Sequence, residues 1–179
     1  MQHILHIALV LLVIQGAIGA FDVLYNHEWD ARLPSQPSAA QELQIHSIRG
    51  VLYSVLFAGV GWFNWHGIWA VAFTLLILVE ILLTLWDFVV EDRTRRLSSL
   101  ERVIHTILAM NGGAYVALLF YVLYEDWLAL PSALFFVDRG VVSWILSAYA
   151  VGVLLSGLRD GFASMRLMRA NVNADMLKV

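Results

Sequence analysis

Leu75-Leu76-Ile77-Leu78-Val79-Glu80-Ile81-Leu82-Leu83-Thr84-Leu85-Trp86-Asp87-Phe88-Val89-Val90-Glu91-Asp92 is the stretch that decides the fold class. It prolongs an apolar run that begins near Gly67, and no Pro or Gly interrupts it before Arg93. A helix needs roughly 20 mainly apolar residues to cross about 30 Å of hydrocarbon. Lipid offers no partner to a free backbone group, so without a barrel's alternation a helix is the spanning form. Span three is therefore read over 67–90, with one acid, Glu80, inside it.

Four more segments qualify, about 3–25, 43–63, 101–124 and 139–158. The expectation is an all-α integral membrane bundle of about five transmembrane helices. Composition agrees: of 179 residues, 60% are hydrophobic and 14% charged. Soluble domains average roughly 45–50% and about 25%. No basic patch of nucleic-acid type exists, and the absence of cysteine excludes disulfides, thiolate metal sites and a Cys nucleophile. Met1-Gln2-His3 lacks a basic n-region, and no small-residue cleavage site precedes Asp22, so span one reads as a retained helix.

Residues 26–41, with Pro34 and Pro37, connect spans one and two. Asn64-Trp65-His66-Gly67 reads as a tight turn that makes spans two and three antiparallel neighbours. One side of the membrane then receives Arg32, Arg49, Arg93, Arg95, Arg96, Arg102, Arg159, Arg166, Arg169 and Lys178, the other only Arg139. The positive-inside rule puts the N-terminus outside and the C-terminus in the cytoplasm, in a bacterial inner membrane. Trp62, Trp65, Trp69 and Trp127 fit an outer aromatic belt. Residues 1–158 form the transmembrane domain, and 159–179 a cytoplasmic tail that can lie on the interface as a short helix.

The chain also repeats itself. Leu11-Leu12-Val13-Ile14-Gln15 matches Leu76-Ile77-Leu78-Val79-Glu80, and each copy reaches an aromatic-Asp pair seven residues later, Phe21-Asp22 and Trp86-Asp87. Each then opens a helix with Glu-x-x-x-His: Glu42 to His46 and Glu101 to His105. Halves 3–63 and 67–124 thus read as parallel repeated hairpins about an axis along the membrane normal, with span five unpaired.

Glu and His four residues apart share one helical face. Charged groups in a span cost roughly 2.5–3.5 kcal/mol each and are functional candidates. Asp22, Glu42, His46, Asp87, Glu101 and His105 are the expected metal ligands, with His27 and Glu28 completing the shell. Glu91 and Asp92 occupy the equivalent stretch after Asp87, where they can complete the shell or close the mouth. Imidazole and carboxylate suit iron, manganese or zinc. The inventory is like that of di-iron carboxylate bundles, although those use Glu-x-x-His. Glu80, seven residues and about 10 Å deeper than Asp87, is expected to tune the site or relay protons; its repeat counterpart is Gln15. Arg49 is expected to neutralise a carboxylate or grip a substrate head group. The bland alternative is that these acids pair with Arg93, Arg95, Arg96 and Arg102. Asn111-Gly112-Gly113, like Gly16, Gly19, Gly59 and Gly61, is expected to permit close helix packing.

At Asn26-His27-Glu28-Trp29, Glu42-Leu43-Gln44-Ile45-His46, Asp87-Phe88-Val89-Val90-Glu91-Asp92 and Glu101-Arg102-Val103-Ile104-His105, the chain resembles a bacterial family of small polytopic membrane proteins. The resemblance covers most of residues 20–115 and transfers no activity. From the residues, the expected function is a membrane-embedded di-metal oxidoreductase holding two divalent ions, iron first, and acting on a lipophilic small molecule from the bilayer. A metal-dependent hydrolase is the near alternative; a haem protein ligated by His46 and His105, a divalent-metal transporter and an assembly subunit follow. Span five can pack on the bundle or form a homodimer contact.

Overall fold

A computed structural model describes residues 2–176; Met1 and residues 177–179, including Lys178 and the end of the expected tail, lie outside the described residues. Five helices form an all-α bundle: α1 (Gln2–Asp22), α2 (Ala40–Trp62), α3 (Ile68–Thr94), α4 (Ser99–Val122) and α5 (Val141–Met176). All five are long and apolar enough to cross a membrane, which makes the chain an integral membrane protein. Large apolar side chains such as Leu82, Met110 and Leu155 point outward, as helices solvated by lipid require. Leu12, Leu56, Val60, Phe73, Ile77, Tyr115, Leu119 and Leu146 fill the interior.

α1 packs mainly on α4, while α2 packs on α3 and, most extensively, on α5. The α2–α5 seam is built from small residues that let two backbones approach. A Cβ added to Gly50 would lie 2.9 Å from the Cα of Gly157. Ser164 Oγ donates to the Ala40 carbonyl at 2.6 Å, and Ser143 Oγ to that of Gly61 at 2.6 Å, one bond at each end of the seam.

Two expectations are corrected here. Residues 159–176 are no separate tail: they continue α5, a single helix of 36 residues. At about 1.5 Å per residue it is far longer than the roughly 30 Å hydrocarbon core. Burial of Ala163 and Leu167 against Leu33, Ala39, Ala40 and Leu43 holds this extension to the bundle. The tight turn after α2 is instead a strand, β1 (Phe63–His66), paired antiparallel with β2 (Ala133–Phe136). The chain reverses only at Gly67, whose φ is 58° and whose missing side chain makes room for Ser132. Trp62 stacks on Phe136 with ring centroids 5.4 Å apart, so the pair closes this end of the bundle with aromatic surface.

Candidate metal centre

The charged end lies opposite the strands. α1 does not stop at Asp22 but widens into a π-helical segment, Val23–Asp30. A repeat of i to i+5 brings both Asn26 and His27 onto the face of Asp22, where a regular helix would turn His27 away. Asn26 Nδ2 donates to Asp22 Oδ1 at 2.7 Å. At the start of α4, Ser98 Oγ accepts from the Glu101 backbone N–H at 3.1 Å, which fixes where Glu101 enters the site.

Asp22, His27, Glu42, Glu80, Asp87, Glu91 and Glu101 are all buried, and His46 and His105 join them from α2 and α4. His105 Nε2 lies 3.1 Å from Asp22 Oδ2, and His46 Nε2 lies 3.2 Å from Asp87 Oδ2. Aspartate against imidazole fixes the ring's orientation and tautomer, as carboxylates behind metal-bound histidines do. The two Asp residues, expected as metal ligands, therefore stand behind histidines.

Glu91 takes the central place. His27, Glu91, Glu101 and His105 offer ligand atoms all within 4.8 Å of one another, as do Glu42, His46 and Glu91. The two groups share Glu91, which sequence reasoning placed only at the edge of the site. Glu91 is 1% exposed, and neither of its oxygens has a hydrogen-bond partner among the described residues. Its neighbours His105 Nδ1 and Arg95 Nη2 lie 3.5 and 3.6 Å away. His27 Nε2 and His105 Nδ1 are buried without hydrogen-bond partners too. Buried donor atoms left unsatisfied call for an explanation, and an ion is one. A signal for Glu91 existed: it follows Asp87 by four residues, as Asn26 follows Asp22.

Arg95, from the α3–α4 connection, is the other central group. It donates to Glu101 through Nη1 at 2.9 Å and Nη2 at 2.7 Å, and to Glu42 through Nη2 at 2.8 Å. Burial pulls its pKa down, but the hydrogen bonds to Glu101 and Glu42 outweigh this and hold the guanidinium above its ordinary value. Of the four arginines considered as partners for the acids, this one enters the cluster.

Arg49 and Glu80 are paired with each other. Arg49 Nη1 donates to Asp87 Oδ2 at 2.6 Å, and its Nε and Nη2 to Glu80 Oε1 at 3.3 Å. Thr84 Oγ1 donates to the same Glu80 oxygen at 2.6 Å. Glu80 is thus a neutralised acid rather than a lone one. Its counterpart Gln15 accepts from Asn111 Nδ2 at 2.7 Å, so Asn111 is a polar anchor of α4 on α1 rather than only a packing position. Glu28 leaves the ligand set: one residue past His27 it turns away and pairs with Arg159 Nη2 at 2.5 Å.

His27 stacks on His46 with ring centroids 4.8 Å apart and meets His105 edge-on at 6.2 Å. Each histidine has carboxylates against it, Asp87 beside His46 and Asp22 and Glu91 beside His105, and His105 also stacks on Phe88. Beside His27 and His46 opens a mainly apolar cavity of about 410 Å³ between α1, α2 and α5. No family model, curated protein or solved structure matches this chain, so its activity has to be read from the site itself.

Proposed function

We propose that the protein is a membrane-embedded di-metal oxidoreductase, with iron as the first choice of metal and manganese or zinc next. It acts on a lipophilic substrate that enters from the bilayer, with the charged end facing the cytoplasm and the N-terminus outside. The observation that carries this is the position of Glu91, buried, without hydrogen-bond partners and common to two ligand groups. A carboxylate so placed suits a bridge between two ions. His27, His105 and Glu101 would hold one ion and His46 and Glu42 the other. Asp22 and Asp87 would orient His105 and His46.

Charge points the same way. Six buried carboxylates, Asp22, Glu42, Glu80, Asp87, Glu91 and Glu101, face two guanidiniums, Arg49 and Arg95. With the three histidines neutral, as metal ligands must be, the excess is four negative charges, which two divalent cations would balance. Left uncompensated, each buried charge costs several kcal/mol. Nitrogen and oxygen donors without thiolate suit iron, manganese or zinc. Reduced iron would supply dioxygen activation; placing one oxygen atom in a C–H bond and reducing the other to water also takes two protons from solvent and two electrons from an external donor. The ten-to-one bias of basic residues supports the orientation. A zinc-loaded site would instead support hydrolysis by a metal-bound water.

Arg95 favours a second function, a structural ion-pair network in which a guanidinium rather than an ion joins Glu42 and Glu101. Oxygen uptake separates the possibilities. Protein loaded with ferrous iron without air, then mixed with oxygen, is expected to consume it and to change its near-ultraviolet absorption. His46→Ala and His105→Ala should do neither. A wild type that binds zinc tightly and leaves oxygen untouched would replace oxidation with hydrolysis. One that binds no ion would leave the ion-pair network.

A further inference from the structure

The cavity beside the histidines is elongated. Its lining on α5 runs from Ala148 to Asp160, twelve residues and therefore about 18 Å along the axis. On α2 it runs from His46 down to Phe57, and on α1 from Asp22 down to Gln15. One end is thus the candidate metal centre, and the other lies among Phe57, Tyr149 and Ala148 in the middle of the bundle. The wall is mainly apolar, with Gln15, Tyr53 and Ser156 as polar side chains away from the metal centre, and is cut by glycines. Among the described residues nothing lies within 4 Å of a Cβ built on Gly19 of α1 or on Gly152 of α5, so the wall is open at both positions. α1 and α5 touch each other far less than either touches its main partner. α1 and α5 meet where Gly16 packs on Tyr149, while Ala20 and Gly152 of the lining are exposed on the bundle surface, which opens the slot sideways.

Charge restricts the head group. Arg49 has its Nε, Nη1 and Nη2 all engaged by Glu80 and Asp87. Arg159 is engaged by Glu28 and Asp160. Among the lining acids, Asp22 is held by Asn26 and His105, and Asp160 by Arg159. An anionic head meets no uncommitted cation among these groups, and a cationic head meets no uncommitted acid. An uncharged oxygen, as hydroxyl or carbonyl, can still exchange hydrogen bonds with this rim. A volume of about 410 Å³ is near the lower end of the roughly 300–1,000 Å³ of small-molecule sites. It suits a molecule with one hydrocarbon chain and is too small to enclose a two-chain phospholipid.

We propose that the slot between α1, α2 and α5 admits from the bilayer a single-chain lipophile with an uncharged, oxygen-bearing head, and seats that head beside His27 and His46. Calling this molecule the substrate rests on the oxidoreductase function; its binding does not. The lateral opening makes entry from the membrane direct, and the chain lies parallel to the helices.

The test uses a photoreactive dodecanol with a diazirine near its hydroxyl, and the matched carboxylic acid and amine, on full-length protein in lipid nanodiscs. The alcohol is expected to label peptides spanning 15–27, 46–57 and 148–160, at least about ten-fold above the acid and the amine. The double variant Gly19→Leu/Gly152→Leu adds side chains at two lining positions where a Cβ meets no neighbour within 4 Å among the described residues. It should fold, keep its metal content and lose labelling by about ten-fold. Equal labelling by all three heads, labelling spread over α3 or over α4 away from Leu108, which lines the slot, or full labelling of the double variant would overturn the proposal. Correct labelling of a protein that binds no metal would uphold the slot and remove the oxidoreductase. Two bound metals with no alcohol labelling would do the reverse.

Discussion

Asp22 on α1 lies 3.1 Å from His105 on α4. Asp87 on α3 stands in the same relation to His46 on α2, at 3.2 Å. Deeper in the bundle Gln15 meets Asn111 across α1 and α4, and Glu80 meets Arg49 across α3 and α2. The two Asp–His pairs stand at corresponding positions and bond across hairpins, each histidine aimed by an aspartate from the other half; deeper in, Gln15 and Glu80 correspond but their partners do not, Asn111 lying six residues past His105 and Arg49 three past His46.

Replacing either aspartate by asparagine should weaken metal binding by about 10–100-fold while leaving the helical content unchanged, because the groups orient ligands. Metal titration of Asp22→Asn and Asp87→Asn, with circular dichroism alongside, measures both. Equal affinity in wild type and both variants would remove the orienting role.

Arg49→Ala should destabilise the protein by about 3–5 kcal/mol, the usual cost of leaving a buried charge without its partner. Two carboxylates, Glu80 and Asp87, lose their cation at once. Adding Glu80→Gln should recover part of the loss. Unfolding in mixed micelles gives the comparison, and a double variant no more stable than the single would break the assignment.

Much of this was legible in the sequence, for a local reason. Glu42 with His46, and Glu101 with His105, share a helix face whatever the tertiary structure does, so spacing alone announces them. Asp22 and Asp87 follow from the repeat. Glu91 was harder, because its central place needs α3 to run on to Thr94, past the end of its apolar stretch. Glu28 misled because the wide turn after Asp22 is invisible in composition: it rotates His27 in and Glu28 out. β1 finds its partner some seventy residues further on, beyond any local pattern. The continuation of α5 depends on a seat formed by Leu33, Ala39, Ala40 and Leu43.

Glycines along α5 and α4 should respond oppositely to alanine. Gly157→Ala puts a methyl 3.1 Å from the Gly50 Cα and should cost about 1–3 kcal/mol through forced separation of α2 and α5. Gly113 has open space at that position, so Gly113→Ala should be neutral or stabilise by up to about 1 kcal/mol. Thermal melts of the two variants side by side check the contrast.

Arg95→Ala distinguishes an ion-centred cluster from an ion-pair network. Without metal the variant should melt earlier than wild type, since Glu42 and Glu101 lose their shared cation. Added ferrous or zinc ion should raise its melting temperature more than it raises that of wild type. A variant that metal does not rescue would favour the network.

The most direct measurement is elemental analysis of detergent-purified protein, wild type beside Glu91→Ala, prepared without chelator and reloaded with iron, manganese and zinc. Wild type is predicted to hold about two equivalents of one metal per chain, and the variant to lose at least one as the shared ligand of both groups disappears. No stoichiometric metal in wild type after reloading would contradict the di-metal centre, as would two equivalents retained by Glu91→Ala with unchanged affinity.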